Sequence, residues 1–209
     1  LIMDDIYHRL VFEPIQWVPG YVFTSKKIDH SFLVIINGIS KSYGMTGFRI
    51  GWTIASKTII KAMEKIQSHS TSGASVLLQE AALGALQDGE GTLKELQKFI
   101  KSNREILIAG LRKIEGVNIV DPGGTFYCFP DFSKINPDSQ ELASFLLEKV
   151  YVSTVPGTAF GAEGHLRLSY TCTPEQAAEA AQRIRWALDP KTEDEIKIGH
   201  QTIRRTWKI

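Results

Sequence analysis

The residues best suited to chemistry lie in the segment Asn37–Trp52, which reads NGISKSYGMTGFRIGW. Lys41 follows an apolar run that predicts a buried strand, and the residues around it are small. Nearby glycines let a backbone approach a ligand closely. A lysine partly removed from water has a lowered pKa, which makes it a candidate for Schiff-base chemistry. Taken on spacing alone, the alternative is a surface lysine in a loop.

The part of this segment from Ser40 to Trp52 resembles the cofactor-lysine signature of the class I/II aminotransferases, the fold-type I pyridoxal-phosphate enzymes. The resemblance implies that Lys41 binds pyridoxal 5'-phosphate as a Schiff base and moves the proton between substrate and cofactor. It implies that Arg49 binds the phosphate, for which a guanidinium is suited. Ser40 is a second cofactor-binding candidate. Many family members have a serine three residues before the lysine, where this chain has Gly38.

A second motif, Asp4-Asp5-Ile6-Tyr7, is similar to the family's D-E-x-Y, which lies one strand upstream of the lysine. The resemblance implies that the Asp4 carboxylate keeps the pyridine nitrogen of the cofactor protonated, because the ring then withdraws electrons best. It implies that Tyr7 donates to the ring oxygen. Asp5 matches a variable acidic position. In isolation, Asp4 and Tyr7 would be ordinary residues at the end of a strand.

A third motif runs from Gly157 to Tyr170 and resembles the family's P-G-x-x-F-G…R-[IL]-S ending. Arg167 then corresponds to the arginine that binds the α-carboxylate of the substrate, a group that a guanidinium fork matches with two hydrogen bonds. The alternative is an arginine on an edge strand that faces solvent. Residues 124–131 also resemble a family motif, which we interpret as packing.

Elements that would position these residues follow from hydrophobic patterning. Three short apolar strands are predicted at Leu1–Met3, Ser31–Ile36 and Phe48–Ala55, and their lack of alternation favours a sheet covered on both faces. A helix capped by Ser56 follows, then one over Leu77–Leu86. The first of these helices carries an apolar face that consists of Ile59, Ile60, Met63 and Ile66.

The second half of the chain has a different pattern of predicted helices and strands. A long amphipathic helix is predicted over about 92–114, with Leu96, Ile100, Leu107, Leu111 and Ile114 toward a core. Short strands are predicted at Val117–Val120, Thr125–Phe129, Val152–Val155 and Leu166–Tyr170. A helix lies over about 139–149, and Thr173-Pro174-Glu175-Gln176 is a capping box that begins the last one.

The predicted fold class is therefore α/β, part of a large cofactor-binding domain with a mostly parallel sheet, joined to a smaller α+β domain. We place the C-terminal part of the large domain at 1–90 and the connecting helix at 91–116. The small domain takes 117–190, and 191–209 is a charged tail to which we assign no role.

Composition excludes several classes of protein. The 209 residues carry 24 Lys+Arg against 23 Asp+Glu, so nothing predicts a nucleic-acid or anionic membrane partner. The longest apolar run, Phe32–Ile36, is far short of a membrane span. Two cysteines and five histidines show no metal-ligand spacing, so no metal is predicted, and we expect a cytoplasmic protein with inert thiols.

By the resemblance, the function is transfer of an amino group between an L-amino acid of the aspartate, alanine or aromatic type and a 2-oxo acid, by a homodimer. The resemblance covers about 1–188 but only the later half of a family member, so we expect a partner segment, the N-terminal half of the same protein. The alternatives are a β-lyase or synthase of the same fold, an aminotransferase-like domain of a transcription regulator, and a non-catalytic fragment.

Overall fold

The structure is a computed structural model that describes residues 1–207. The chain forms two compact units. The first comprises residues 1–98 with 123–125, and the second comprises residues 99–122 with the chain from 126 onward. Across the described residues, no helix combines the length and the apolar character that crossing a membrane requires.

The sheet of the first unit has three strands, as predicted: β1 (Ile2–Asp4), β2 (Val34–Gly38) and β3 (Gly51–Ile54), in that order. β1 and β2 are parallel, whereas β2 and β3 are antiparallel, so this part of the sheet is mixed. β3 begins three residues later than predicted. The reason is Arg49, whose φ of 55° is left-handed and cannot continue an extended strand.

Two helices follow, α1 (Lys57–Ser70) and α2 (Val76–Asp88). On the predicted apolar face of α1, Ile59 and Ile60 are half-buried, whereas Met63 and Ile66 are exposed, and no residue of the helix is fully buried. The described residues likewise do not cover the sheet on both faces, since Ile2, Ile36 and Ile54 on its three strands are exposed. An amphipathic pattern shows that a face is apolar, but it does not show that its covering partner lies in the same stretch of chain.

α3 (Glu90–Leu111) is the predicted long helix, and it ends at Leu111 rather than Ile114 because a tighter turn follows. Its apolar stripe is buried as predicted at Ile100, Leu107 and Leu111, and Ile114 is also buried, whereas Leu96 is half-buried. Asn103 is fully buried in the second unit. Its Nδ2 donates to the carbonyl oxygens of Tyr170 (3.1 Å) and Cys172 (2.5 Å). These hydrogen bonds hold the segment that follows the strand Leu166–Ser169.

The second unit contains an antiparallel sheet of β4 (Tyr127–Cys128), β5 (Val155–Pro156) and β6 (Leu166–Ser169), with β6 central. The helices are α4 (Ser139–Val150) and α5 (Pro174–Leu188), and the capping box at Thr173 is confirmed. The strand predicted at Val117–Val120 does not form. Only Asn118 pairs there, through two backbone hydrogen bonds with Asp131.

The tail, to which the sequence assigns no role, forms a hairpin of β7 (Glu195–Ile198) and β8 (Gln201–Arg204). Ile196 and Ile198 are buried and alternate with exposed residues, a period-2 pattern that was readable from the sequence. Trp207 then packs edge-on against Trp186 and Phe145. Residues 208 and 209 of the predicted tail lie outside the described residues.

Candidate active site

The candidate site lies along one edge of the first sheet. Because β1 and β2 are parallel, their carboxyl ends meet at one edge, where Asp4 pairs with Ile36. Because β3 is antiparallel to β2, its first residue, Gly51, pairs with the last residue of β2, Gly38. The residues that follow β2 and those that precede β3 therefore share this edge.

Lys41 lies in the turn that follows β2. The turn closes through hydrogen bonds from the Tyr43 amide to the Ile39 carbonyl (3.2 Å) and from the Gly44 amide to the Lys41 carbonyl (3.4 Å). Lys41 and Ser40 are both half-buried. Lys41 is thus neither the freely solvated lysine of an open loop nor fully enclosed.

Ser42 is fully buried, and its Oγ has no hydrogen-bond partner in the structure. The same turn is anchored by Ile39, which is completely buried and packs with Ile50 and Ala82 in the core of this unit. A backbone held in this way can present the lysine at a fixed place.

Arg49 lies on the other side of the site, just before β3. It ends a short 3-10 turn, Thr46–Phe48, in the left-handed conformation, which costs a non-glycine residue roughly 1 kcal/mol or more. One guanidinium nitrogen, Nη1, donates to the Thr46 carbonyl at 2.9 Å. The side chain is otherwise exposed, so the remaining donors of the fork face an accessible surface.

The glycine pair Gly38 and Gly51 explains how this chain departs from the family signature. A Cβ at Gly38 would lie 2.8 Å from the Ile50 carbonyl oxygen, and one at Gly51 would lie 2.8 Å from that of Asn37. Both contacts are to backbone and are closer than side chains tolerate. A serine three residues before Lys41 would therefore not fit this pairing of β2 and β3.

Asp4 and Asp5 end β1 in opposite environments. Asp4 is exposed at the sheet edge, and its Oδ1 accepts from the Ile6 amide (3.2 Å). Asp5 is buried, its amide donates to the Ile36 carbonyl, and its Oδ2 has no partner in the structure. Tyr7 lies half-buried in the turn that follows. The carboxylate that is accessible for a ligand is thus Asp4, the one that the motif selects.

Two residues that the sequence analysis passed over contact this region. The Nδ2 of Asn37 lies 3.1 Å from Nδ1 of His8, and Nη1 of Arg9 donates to the Tyr43 hydroxyl at 3.1 Å. In the sequence, His8 is one of five histidines without metal-ligand spacing, and Arg9 belongs to no motif. The only sequence signal was their position directly after Tyr7.

Arg167 lies in the second unit, on the central strand β6, where it pairs with Val155. Its guanidinium carbon lies 4.5 Å from the centre of the Tyr127 ring and 4.8 Å from that of Phe160. These contacts hold the flat group by cation–π attraction, so Arg167 is not a freely solvated arginine.

In the same unit, burial raises the pKa of the Cys128 thiol to about 12, which keeps it protonated and unreactive.

The side chains at the sheet edge fit an anionic, ring-bearing cofactor with an aldehyde. They supply an amine (Lys41), a carboxylate (Asp4), a phenol (Tyr7) and a guanidinium (Arg49). Gly44 and Gly47 lie between the amine and the guanidinium in sequence, and a Cβ at either would meet nothing within 4 Å, so space is open there. Ser40, half-buried beside Lys41, adds a hydroxyl.

Comparisons with known proteins bear on the same stretch of chain. Residues 1–184 match the family described as Aminotransferase class I and II. The chain is 37% identical over 187 residues to the aspartate/prephenate aminotransferase of Thermus thermophilus and 35% identical over 197 residues to the aspartate aminotransferase of Streptomyces avermitilis. These matches cover 88% and 90% of this chain, but 46% and 48% of the relatives.

Solved structures give the same result. The aspartate aminotransferase from Rhizobium meliloti matches with a TM-score of 0.84 at 31% identity, over 90% of this chain and 49% of that one. An aromatic aminotransferase from Pyrococcus horikoshii matches with a TM-score of 0.81 at 29% identity, over 88% and 49%. The chain spans about half the length of the curated relatives it matches.

Proposed function

The chain belongs to the class I and II aminotransferase family, and from that premise we propose that it supplies the cofactor-lysine half of a pyridoxal-phosphate-dependent aminotransferase. The observation that supports the proposal is the strand register, in which β1 and β2 end and β3 begins at one edge of one sheet, with Asp4, Lys41 and Arg49 at or within three residues of those strand ends. Chance placement of an amine, a carboxylate and a guanidinium at one edge would not also reproduce the spacing of the family signature.

In this proposal, pyridoxal phosphate supplies the electron sink that stabilises negative charge on the α-carbon of an amino acid. Lys41 Nζ would hold the cofactor at its aldehyde and would hold the proton that moves at the α-carbon. The Asp4 carboxylate would keep a proton on the ring nitrogen, because a negative charge nearby favours the protonated form. Tyr7 donates its hydroxyl proton to the ring oxygen.

The anionic ends of cofactor and substrate are assigned to the two arginines. Arg49 binds the phosphate, with Ser40 as a neighbouring hydroxyl, since a guanidinium keeps its charge at all working pH values. Arg167 binds the α-carboxylate of the substrate, and the rings of Tyr127 and Phe160 fix the plane of its fork. Gly38, where many members of the family carry serine, leaves more of the phosphate contact to Arg49.

The proposed reaction moves an amino group from an L-amino acid to a 2-oxo acid, and aspartate is the first donor to test because the relatives are named for it. A two-domain arrangement of the fold-type I kind, homodimeric assembly, a cytoplasmic location and completion of the site by the other half of the protein belong to the same proposal. The exposed apolar residues of the first unit, Ile2, Phe32, Ile66 and Leu77, support that last point.

The decisive experiment traps the cofactor. The full-length protein is incubated with pyridoxal phosphate, treated with borohydride and digested, and the modified lysine is located by mass spectrometry. We expect the label on Lys41 and its loss in Lys41→Ala. The matched control is Lys57→Ala, an exposed lysine of the same unit paired with Asp29. A label that survives in Lys41→Ala would contradict the proposal.

A second measurement separates the alternatives of the same fold. Incubation with aspartate and a 2-oxo dicarboxylic acid should form a new amino acid without release of ammonia. Ammonia or an eliminated side chain as the main product would instead indicate a lyase.

A further inference from the structure

We propose that His8 and Arg9 are positioning residues that fasten the turn carrying Tyr7 to the segment carrying Lys41. The inference rests on the proposed function, because it concerns the geometry of that site. Neither residue belongs to the three motifs, and each makes a side-chain contact with the lysine segment, one on each side of Lys41.

The first contact lies before the lysine. The Oδ1 of Asn37 accepts from the Gly38 amide at 2.7 Å, which fixes the orientation of the side-chain amide and leaves its NH₂ group toward His8. The distance from Nδ2 of Asn37 to Nδ1 of His8 is 3.1 Å. The amide can only donate there, so this contact requires Nδ1 as the acceptor, which means a neutral ring with its proton on Nε2.

The surroundings of His8 make this contact conditional. The carbonyl oxygen of Asp5 also lies 3.0 Å from Nδ1, so a protonated Nδ1 would bond within its own turn and release Asn37. The charged groups that face the ring are Asp5 and Arg9, and Trp17 packs edge-on at 5.1 Å. Burial lowers the pKa of His8, which favours the neutral ring that the contact with Asn37 requires.

The second contact lies after the lysine. Nη1 of Arg9 donates to the Tyr43 hydroxyl at 3.1 Å, while Nη2 pairs with the Glu90 carboxylate at the start of α3. The Arg9 carbonyl accepts from Nε2 of Gln97 at 2.5 Å, so its backbone is held as well. Tyr43 packs against the core around Ile39 and is therefore a fixed anchor.

Together the two contacts bracket Lys41, with Asn37 four residues before it and Tyr43 two residues after it. His8 and Arg9 directly follow Tyr7, so the turn cannot shift along the sheet edge without breaking one of them. A displacement of about 1 Å between reacting groups can cost on the order of a hundredfold in rate. The bracket thus sets the spacing between the Tyr7 hydroxyl and Lys41 Nζ.

The test uses the full-length protein loaded with cofactor and three variants. Tyr43→Phe removes one oxygen, His8→Phe keeps the ring but removes the acceptor, and His8→Gln restores an acceptor that does not titrate. Turnover is expressed per cofactor trapped by borohydride, so that loss of folded protein does not count. We expect kcat to fall about tenfold in Tyr43→Phe and His8→Phe, while KM changes less than about twofold.

His8→Gln should recover most of the lost kcat and should also lose the acid limb of the pH profile that His8 contributes in the wild type. A residue with only a structural role would lower the trapped cofactor without changing kcat per site or its pH dependence. Arg112→Gln, which breaks an exposed ion pair with Asp121 in the second unit, is the matched control. In that variant, kcat per site should match that of the wild type.

The outcomes separate the two proposals. If Lys41→Ala prevents trapping while Tyr43→Phe and His8→Phe keep wild-type kcat per site, the positioning role is overturned and the proposed function stands. If Lys41→Ala still traps the cofactor, both are overturned. Equal losses in His8→Phe and His8→Gln would mean that the imidazole acts in some way other than as an acceptor, which also overturns the proposal.

Discussion

Replacement of Arg167 by lysine is the substitution whose effect follows most directly from the structure. Arg167 lies on the central strand β6, and its flat guanidinium is held 4.5 Å from the Tyr127 ring and 4.8 Å from the Phe160 ring. Lysine keeps the positive charge but has neither the flat face that stacks on these rings nor the two-pronged donor that matches a carboxylate.

The expected magnitude comes from the contact that is lost. Removing one partner of a desolvated, hydrogen-bonded charge pair costs about 2–4 kcal/mol, which corresponds to roughly a 30- to 700-fold weaker binding of the amino acid. Stability should change less, because lysine retains part of the cation–π attraction, which is worth about 0.5–1 kcal/mol per ring. The substitution should therefore weaken amino-acid binding much more than it lowers the stability of the fold.

The assay is a titration of the amino-transfer half-reaction in the full-length protein, with amino acids and with simple amines that lack a carboxylate. Arg167→Lys should weaken only the amino acids, and cofactor affinity should stay unchanged because Arg49 is assigned to the phosphate. Arg112→Lys, an exposed arginine of the same unit, is the control. An equal loss for amines and amino acids would refute the carboxylate role and leave Arg167 as a residue that supports the fold.

Four further expectations follow. Lys41→Ala should remove the borohydride-stable label and nearly all amino transfer, because one amine binds the cofactor and moves the proton. Asp4→Asn should keep the cofactor bound but lower kcat far more than it raises KM, as steady-state kinetics would show. Asn103→Ala should lower the free energy of unfolding by about 2–3 kcal/mol in denaturant titrations, since the carbonyls of Tyr170 and Cys172, the first buried and the second partly buried, lose this donor. For His8, whose folded-state pKa lies below 6.5, the unfolded state binds more protons, so stability should fall as the pH drops from about 6.5 through the lowered value.

Each of these expectations has an outcome that would contradict it. Normal turnover in Lys41→Ala, or a raised KM with unchanged kcat in Asp4→Asn, would remove the assigned roles. A change below about 0.5 kcal/mol in Asn103→Ala would mean that water replaces the amide. A His8→Gln variant whose stability falls with pH as steeply as the wild type would show that other groups control the acid response.

The sequence predicted the fold well where local chemistry determines it. The capping box at Thr173 specified the start of α5, and the apolar stripe of α3 is buried at Ile100, Leu107 and Leu111. The failures concern information that is not local. The apolar face of α1 does not show by itself how far it is covered, since Ile59 and Ile60 are half-buried but Ile66 is exposed, and the pairing of Asn118 is set by a partner thirteen residues away.

The residues of the candidate site also fall into those that the sequence predicts and those that it does not. Lys41, Arg49 and Asp4 could be named because they belong to two motifs of fixed spacing, and the strand ends next to these residues share one edge of the sheet. The contacts of His8 with Asn37 and of Arg9 with Tyr43 join residues 29 and 34 positions apart. Such contacts depend on tertiary packing and left no pattern in the sequence beyond adjacency to Tyr7.

The facing glycines at the end of β2 and the start of β3 have an evolutionary consequence. Because a Cβ at Gly38 or at Gly51 would meet the opposite strand's backbone at 2.8 Å, neither position can change by a single substitution unless the strands move apart. A lineage with this pairing would therefore reach a serine at Gly38 only together with a change that moves the two strands apart. Sequence searches that require that serine would overlook chains of this kind. Introducing the serine here would require the redesign of both strands together.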